Sequence, residues 1–158
     1  MFQRKSFCAL VLISTYIVSS ALSAQSIETA ARHAVLYDLT TDTILLNKAS
    51  DVPMPPASMS KLMTVYMVFE RLKAGRLSLD DKFVVSRKAW RKGGSKMFVM
   101  VKSRVAVKDL LRGIIIQSGN DACIVIAEGI SGSEDAFAEE MTLKAKEIGL
   151  TNSSFKNS

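Results

Sequence analysis

The chain is short of the residues on which metal and thiol chemistry depend. Its 158 residues include two cysteines and one histidine. Cys8 lies in an N-terminal apolar segment; if that segment is removed, Cys123 stands alone and no intramolecular disulfide can form. Cys123 follows "SGNDA" in an apolar run and reads as a buried core residue. One cysteine and one histidine cannot build a familiar zinc site. His33 opens a predicted strand, where a lone histidine is structural, and this argues against a serine–histidine–aspartate triad. There is a single tryptophan. It lies in the basic stretch "SRKAWRKGGSK" (Arg87, Lys88, Arg91, Lys92, Lys96), which has no alternating aromatics, reads as a solvated face, and predicts no nucleic-acid partner. The three prolines all fall in "PMPP", so no proline interrupts a helix elsewhere. No internal repeat, long linker or low-complexity tract occurs.

Long hydrophobic runs are also missing. The apolar stretch "FCALVLISTYIV" is 12 residues long, short of the ~20 needed to span a bilayer. Arg4 and Lys5 precede it and "SSALSA" follows, an order that reads as a secretory signal peptide over residues 1–24, cleaved after Ser23 or Ala24. A membrane anchor is the alternative. Cys8 lacks the small-residue setting of a lipoprotein cysteine, so no lipid anchor is expected. The segment carries two basic and no acidic residues, so its loss lowers the net charge from +6 to +4. Such an excess is weak evidence for any partner.

Beyond the leader, "HAVLYDL" and "TILLN" are β-rich and joined by a turn at Thr40–Asp42. A helix is predicted from Ser58 to near Gly75. Leu62, Val65, Tyr66, Phe69 and Leu72 follow helical spacing and Met63, Met67 and Val68 make the opposite side apolar, which predicts a buried, central helix. "RLSLDDKFVVS" reads as a turn and a short strand, and "RKGGSK" as a loop. "VKDLLRGIIIQSGNDACIVIAEGI" reads as two helices broken near "SGN". "SEDAFAEEMTLKAKEIGL" reads as an amphipathic helix capped by Ser133, with Glu134 and Asp135 in its first turn. Strands followed by helices predict an α+β fold. Two strands cannot cover such a helix, so further strands are expected beyond Ser158.

Ser58 and Lys61 carry the chemistry. Three apart on a helix, they share a face within hydrogen-bond reach. A serine at a helix N-terminus sits where negative charge is favoured, and a lysine desolvated by Leu62 and Val65 could act as its base. The alternative is a capping serine beside a snorkelling lysine. A second pair at this spacing, Ser153 and Lys156, has no apolar helix behind it and reads as accidental. Asp121 and Glu128 read as a solvated face. "QSGND" places Ser118 and Asn120 in a break between two apolar helices, where they could relay a proton and hold a substrate amide; a helix cap would also explain them.

"PMPPASMSKLMT", "AWRKGGSKMFV" and "LLRGIIIQSGNDACIVIAEG" closely resemble the low-molecular-mass penicillin-binding proteins that act as D-alanyl-D-alanine carboxypeptidases. The resemblance covers roughly residues 28–158. It implies a penicillin-binding, β-lactamase-like transpeptidase fold and a serine peptidase that trims stem peptides ending in D-Ala-D-Ala. It implies Ser58 as acyl-ester nucleophile, Lys61 as general base, Ser118 as proton relay and Asn120 as a substrate-binding residue. It further implies β-lactams as inhibitors, no metal or cofactor, and a place in the periplasm or on the outer face of the cytoplasmic membrane.

The family's third motif, lysine-threonine-glycine on a strand, does not follow "SGN" here. It supplies an oxyanion-hole N–H, and losing one such donor costs about 100- to 1000-fold. The expectation is therefore an incomplete catalytic domain over 25–158, inactive or impaired as it stands. Membrane association would come only through a missing C-terminal segment. The alternatives are a remnant that binds wall peptides or a partner without turnover, a related D,D-endopeptidase, and a β-lactamase. The last is disfavoured by glycine between Ser118 and Asn120.

Overall fold

The computed structural model describes residues 27–158. The expected signal peptide, with Cys8, lies outside them. The chain divides after Pro53 into two compact units.

The first unit is an antiparallel hairpin of β1 (Ala34–Asp38) and β2 (Thr43–Lys48). Asp38 makes the turn: its carboxylate accepts the Thr40 N–H at 2.8 Å and the Thr41 hydroxyl at 2.7 Å, which replaces backbone bonds through the reversal. The register runs from Ala34 opposite Lys48 to Leu36 opposite Leu46, then shifts to Tyr37 opposite Ile44, leaving Leu45 as a bulge. His33 lies beside the Ala49 carbonyl at 2.9 Å and ties the open end, the structural role expected of it.

The second unit holds α1 (Lys61–Lys73), α2 (Arg87–Arg91), α3 (Val107–Gln117), α4 (Asn120–Ser131) and α5 (Glu134–Glu147). A small sheet pairs β3 (Lys82–Val84) antiparallel with β4 (Arg104–Ala106). The α+β class is as expected. The break at "SGN" and the Ser133 cap are where the sequence places them; the Ser133 side chain accepts the Ala136 N–H at 3.1 Å.

The central helix is α4 rather than α1. Every residue from Ala122 to Ala127 is buried, and α4 packs on α1, α2, α3, α5 and β3. Gly129 lets β3 come close, since a Cβ there would lie 2.2 Å from the Phe83 ring. In contrast, α1 buries one side only, through Met63, Thr64, Met67 and Val68. Leu62 is 73% exposed, and Tyr66 and Phe69 are exposed as well. The expectation of an all-round buried helix fails because, within this unit, α3, α4 and α5 pack against one arc of α1 only. Among the described residues no helix is long and apolar enough to cross a membrane.

Candidate active site

Ser58 lies in a tight 3-10 turn, Ala57–Ser60, that runs straight into α1. Such a turn has about three residues per revolution, so positions three apart eclipse. This stacks Ser58 over Lys61. The prolines stop the turn from starting earlier, and Ala57 enters it with a left-handed φ of 50°, a conformation an alanine adopts only where its surroundings impose it.

Lys61 is 8% exposed. Its Nζ lies 3.0 Å from Ser58 Oγ and 3.1 Å from Ser118 Oγ. Ser118 ends α3 in the left-handed region, at φ 53° and ψ 38°. That backbone turn brings its hydroxyl back to α1. Among the described residues no carboxylate pairs with Lys61. As an ammonium, Lys61 donates to both hydroxyls; as a free amine, it can accept the proton of one and return it through the other. The three groups open on a groove of about 210 Å³, whose remaining walls are Leu62, Val65, Ile114 and Ile115. Apolar walls with a few convergent polar groups are what a small-substrate site requires.

Asn120 stands apart from this cluster. Its side-chain amide donates to the Gly93 carbonyl at 2.9 Å and its backbone N–H to the Ser95 carbonyl at 2.8 Å. No hydrogen bond joins it to Lys61. Ser153 and Lys156 make no hydrogen bond to each other. Cys123 is fully buried, and burial pushes its thiol pKa up to about 12, which makes it an inert core residue, as expected.

Asp121 corrects the sequence reading. It is 1% exposed rather than part of a solvated face, and its carboxylate accepts the N–H groups of Met97 at 3.0 Å and Val99 at 3.2 Å. No sequence signal marks it beyond an acidic residue in the first turn of a helix. The loop that meets it is irregular and leaves no periodicity. A second groove of similar size is crossed by ion pairs from Arg71 to Glu140 and from Lys144 to Glu70 and Glu147, and has no nucleophile.

The family model described as D-alanyl-D-alanine carboxypeptidase matches residues 19–158. The D-alanyl-D-alanine carboxypeptidase DacF of Bacillus subtilis (strain 168) is 46% identical over 127 residues, covering 80% of this chain and 33% of the relative. The crystal structure of the D-alanyl-D-alanine carboxypeptidase DacD from Francisella tularensis superposes with a TM-score of 0.79 at 42% identity, over 84% of this chain and 32% of that one. Penicillin-binding protein D2 from Listeria monocytogenes, in its ampicillin-bound form, gives a TM-score of 0.69 at 28% identity, over 80% of this chain and 51% of that one. The chain spans about a third of the length of the curated relatives it matches. The fold is thus that of the penicillin-binding D,D-peptidases.

Proposed function

Since the chain belongs to the D-alanyl-D-alanine carboxypeptidase family, we propose that it serves a serine D,D-carboxypeptidase exported under a signal peptide over residues 1–24. It works in the periplasm or on the outer face of the cytoplasmic membrane, where it trims the terminal D-alanine from peptidoglycan stem peptides. The observation that carries this reading is the Lys61 Nζ set between the hydroxyls of Ser58 and Ser118.

In the proposed reaction Ser58 Oγ attacks the carbonyl carbon of the penultimate D-alanine, and its proton passes to the Lys61 amine. The tetrahedral intermediate collapses, the C–N bond breaks, and the leaving D-alanine amine takes a proton delivered through Ser118. Water then attacks the ester on Ser58, releasing the shortened peptide and restoring the hydroxyl. Asn120 serves as the substrate-binding residue, with its Oδ1 as acceptor for a peptide N–H. A β-lactam presents a strained amide to the same nucleophile and would leave an acyl group on Ser58; the likeness to a penicillin-binding protein seen with ampicillin supports this.

Labelled penicillin tests the reading. In the full-length protein the label is expected on the peptide containing Ser58, and Ser58→Ala is expected to take none. Label on any other residue, or retained in Ser58→Ala, overturns the mechanism.

A further inference from the structure

Ser118 is held in a left-handed backbone turn that a serine does not favour by itself. The stretch 93–99, between α2 and β4, braces it from one side. The Gly93 carbonyl accepts from the Asn120 side chain, the Ser95 carbonyl from the Asn120 N–H, and the Ser95 hydroxyl donates to the Gln117 carbonyl. Met97 and Val99 then give their N–H groups to the two oxygens of Asp121. Every second residue of 93–99 is thereby fastened to the turn 117–121. Asp121 makes the two innermost ties. Its Oδ1 also lies 2.9 Å from the Ala122 N–H. No ion pair among the described residues includes it, so a buried carboxylate is here compensated by backbone N–H groups and its place in the first turn of α4. Gly119 leaves room for it, since a Cβ there would lie 3.1 Å from Oδ1.

We propose that Asp121 is a positioning residue for the proton relay: by anchoring 93–99 it fixes the Ser118 hydroxyl against Lys61. The proposal rests on the reading of Ser118 given above. It differs from a plain packing role in requiring that Asp121 act through Ser118.

The test is Asp121→Asn in the full-length protein, followed by acylation with labelled penicillin and by amide hydrogen exchange. Asparagine offers one oxygen, so either Met97 or Val99 must face an NH2 group and lose its bond. Acylation is expected to slow about 10- to 100-fold, the cost of a misplaced reacting group. Exchange at Ser118 and Gly119 should quicken about 10-fold or more as the turn opens locally. In a Ser118→Ala background the same substitution should cost less than about 3-fold, since coupled sites are not additive. Unchanged acylation, or a full loss added to that of Ser118→Ala, overturns the proposal. If Asp121→Asn does not fold, Ser95→Ala removes a single tie from an exposed loop residue. It is expected to slow acylation about 3- to 10-fold with the same non-additivity, and no effect overturns the proposal. Should the parent protein take no label, the serine-peptidase reading falls and exchange decides the tether alone. Faster exchange at Ser118 in the variant supports it, and unchanged exchange overturns it.

Discussion

Lys61→Met separates a catalytic lysine from a structural one, because the two roles predict opposite signs. Methionine keeps most of the aliphatic stem and removes only the charged end. That end contributes two hydrogen bonds, at 3.0 and 3.1 Å. Bonds to a charged group are worth about 1.5–3 kcal/mol each at most, and less here because Ser58 is exposed and can turn to water. Against this, Lys61 is 8% exposed with no carboxylate partner among the described residues. Burying an ammonium without an ion-pair partner costs several kcal/mol, and the substitution relieves that cost. The net change in stability is therefore expected between about zero and 2 kcal/mol in favour of the variant. For a domain of this size that is a rise in Tm of up to roughly 8 °C. Acylation by labelled penicillin should meanwhile fall by at least about 1000-fold, as when a member of a serine triad is removed. Thermal unfolding and label incorporation, run on the same preparation, read both quantities. A Tm lowered by more than about 5 °C with labelling preserved would refute the reasoning and leave Lys61 a structural residue.

Two further expectations concern charge and burial. In Glu134, burial pushes the carboxyl pKa up, but the hydrogen bond from Lys88 and those from Ser158 outweigh it and hold it below its ordinary value. Its stabilisation is thus present above about pH 4.3 and lost as pH falls through the lowered value. Glu134→Gln should cost about 1–2 kcal/mol at pH 7, and the gap in Tm to the parent should narrow as pH falls below about 4.3; a gap that stays constant across that fall removes the linkage argument. The Cys123 thiol, pushed up to about 12 by burial, should resist alkylation at pH 8 until denaturant is added. Because the unfolded thiol ionises near pH 8.5 and the folded one does not, stability should decline by up to about 1.4 kcal/mol per pH unit above that point. Urea unfolding at pH 8 and 10 should show this component missing from Cys123→Ala, and an equal alkaline loss in both proteins refutes it.

Elements with strong local signals were legible in the sequence. The hairpin turn at Thr40–Asp42, the break at "SGN" and the Ser133 cap each depend on a few neighbouring residues, and each lies where local chemistry places it. What periodicity could not say was which apolar arc of α1 faces inward. Leu62, Tyr66 and Phe69 have the spacing of a core face, yet Met63, Met67 and Val68 fill it. A helix apolar on both sides carries two consistent answers, and the packing of α3, α4 and α5 chooses between them. Helix α2 and strand β4 are short, and five or three residues are too few to show a period. The Ser86 hydroxyl that caps α2, accepting the Ala89 N–H at 3.0 Å, is the one local sign of that helix.

The site divides along the same line. Ser58 and Lys61 are three apart, so their juxtaposition follows from helical geometry alone. Ser118 reaches Lys61 across 57 residues, and nothing local to either dictates that contact. It depends on α3 and α1 packing side by side and on a left-handed residue at the end of α3. Such a residue is disfavoured wherever local propensity decides, so it persists only where tertiary contacts over-determine it. The contacts that do so here come from 93–99 and from a buried carboxylate whose partners are backbone N–H groups. Backbone donors have no sequence identity, which is why Asp121 was read as a solvated charge. The juxtaposition of Ser58 and Lys61 was therefore visible in the sequence, and the contacts that set Ser118 against Lys61 were not.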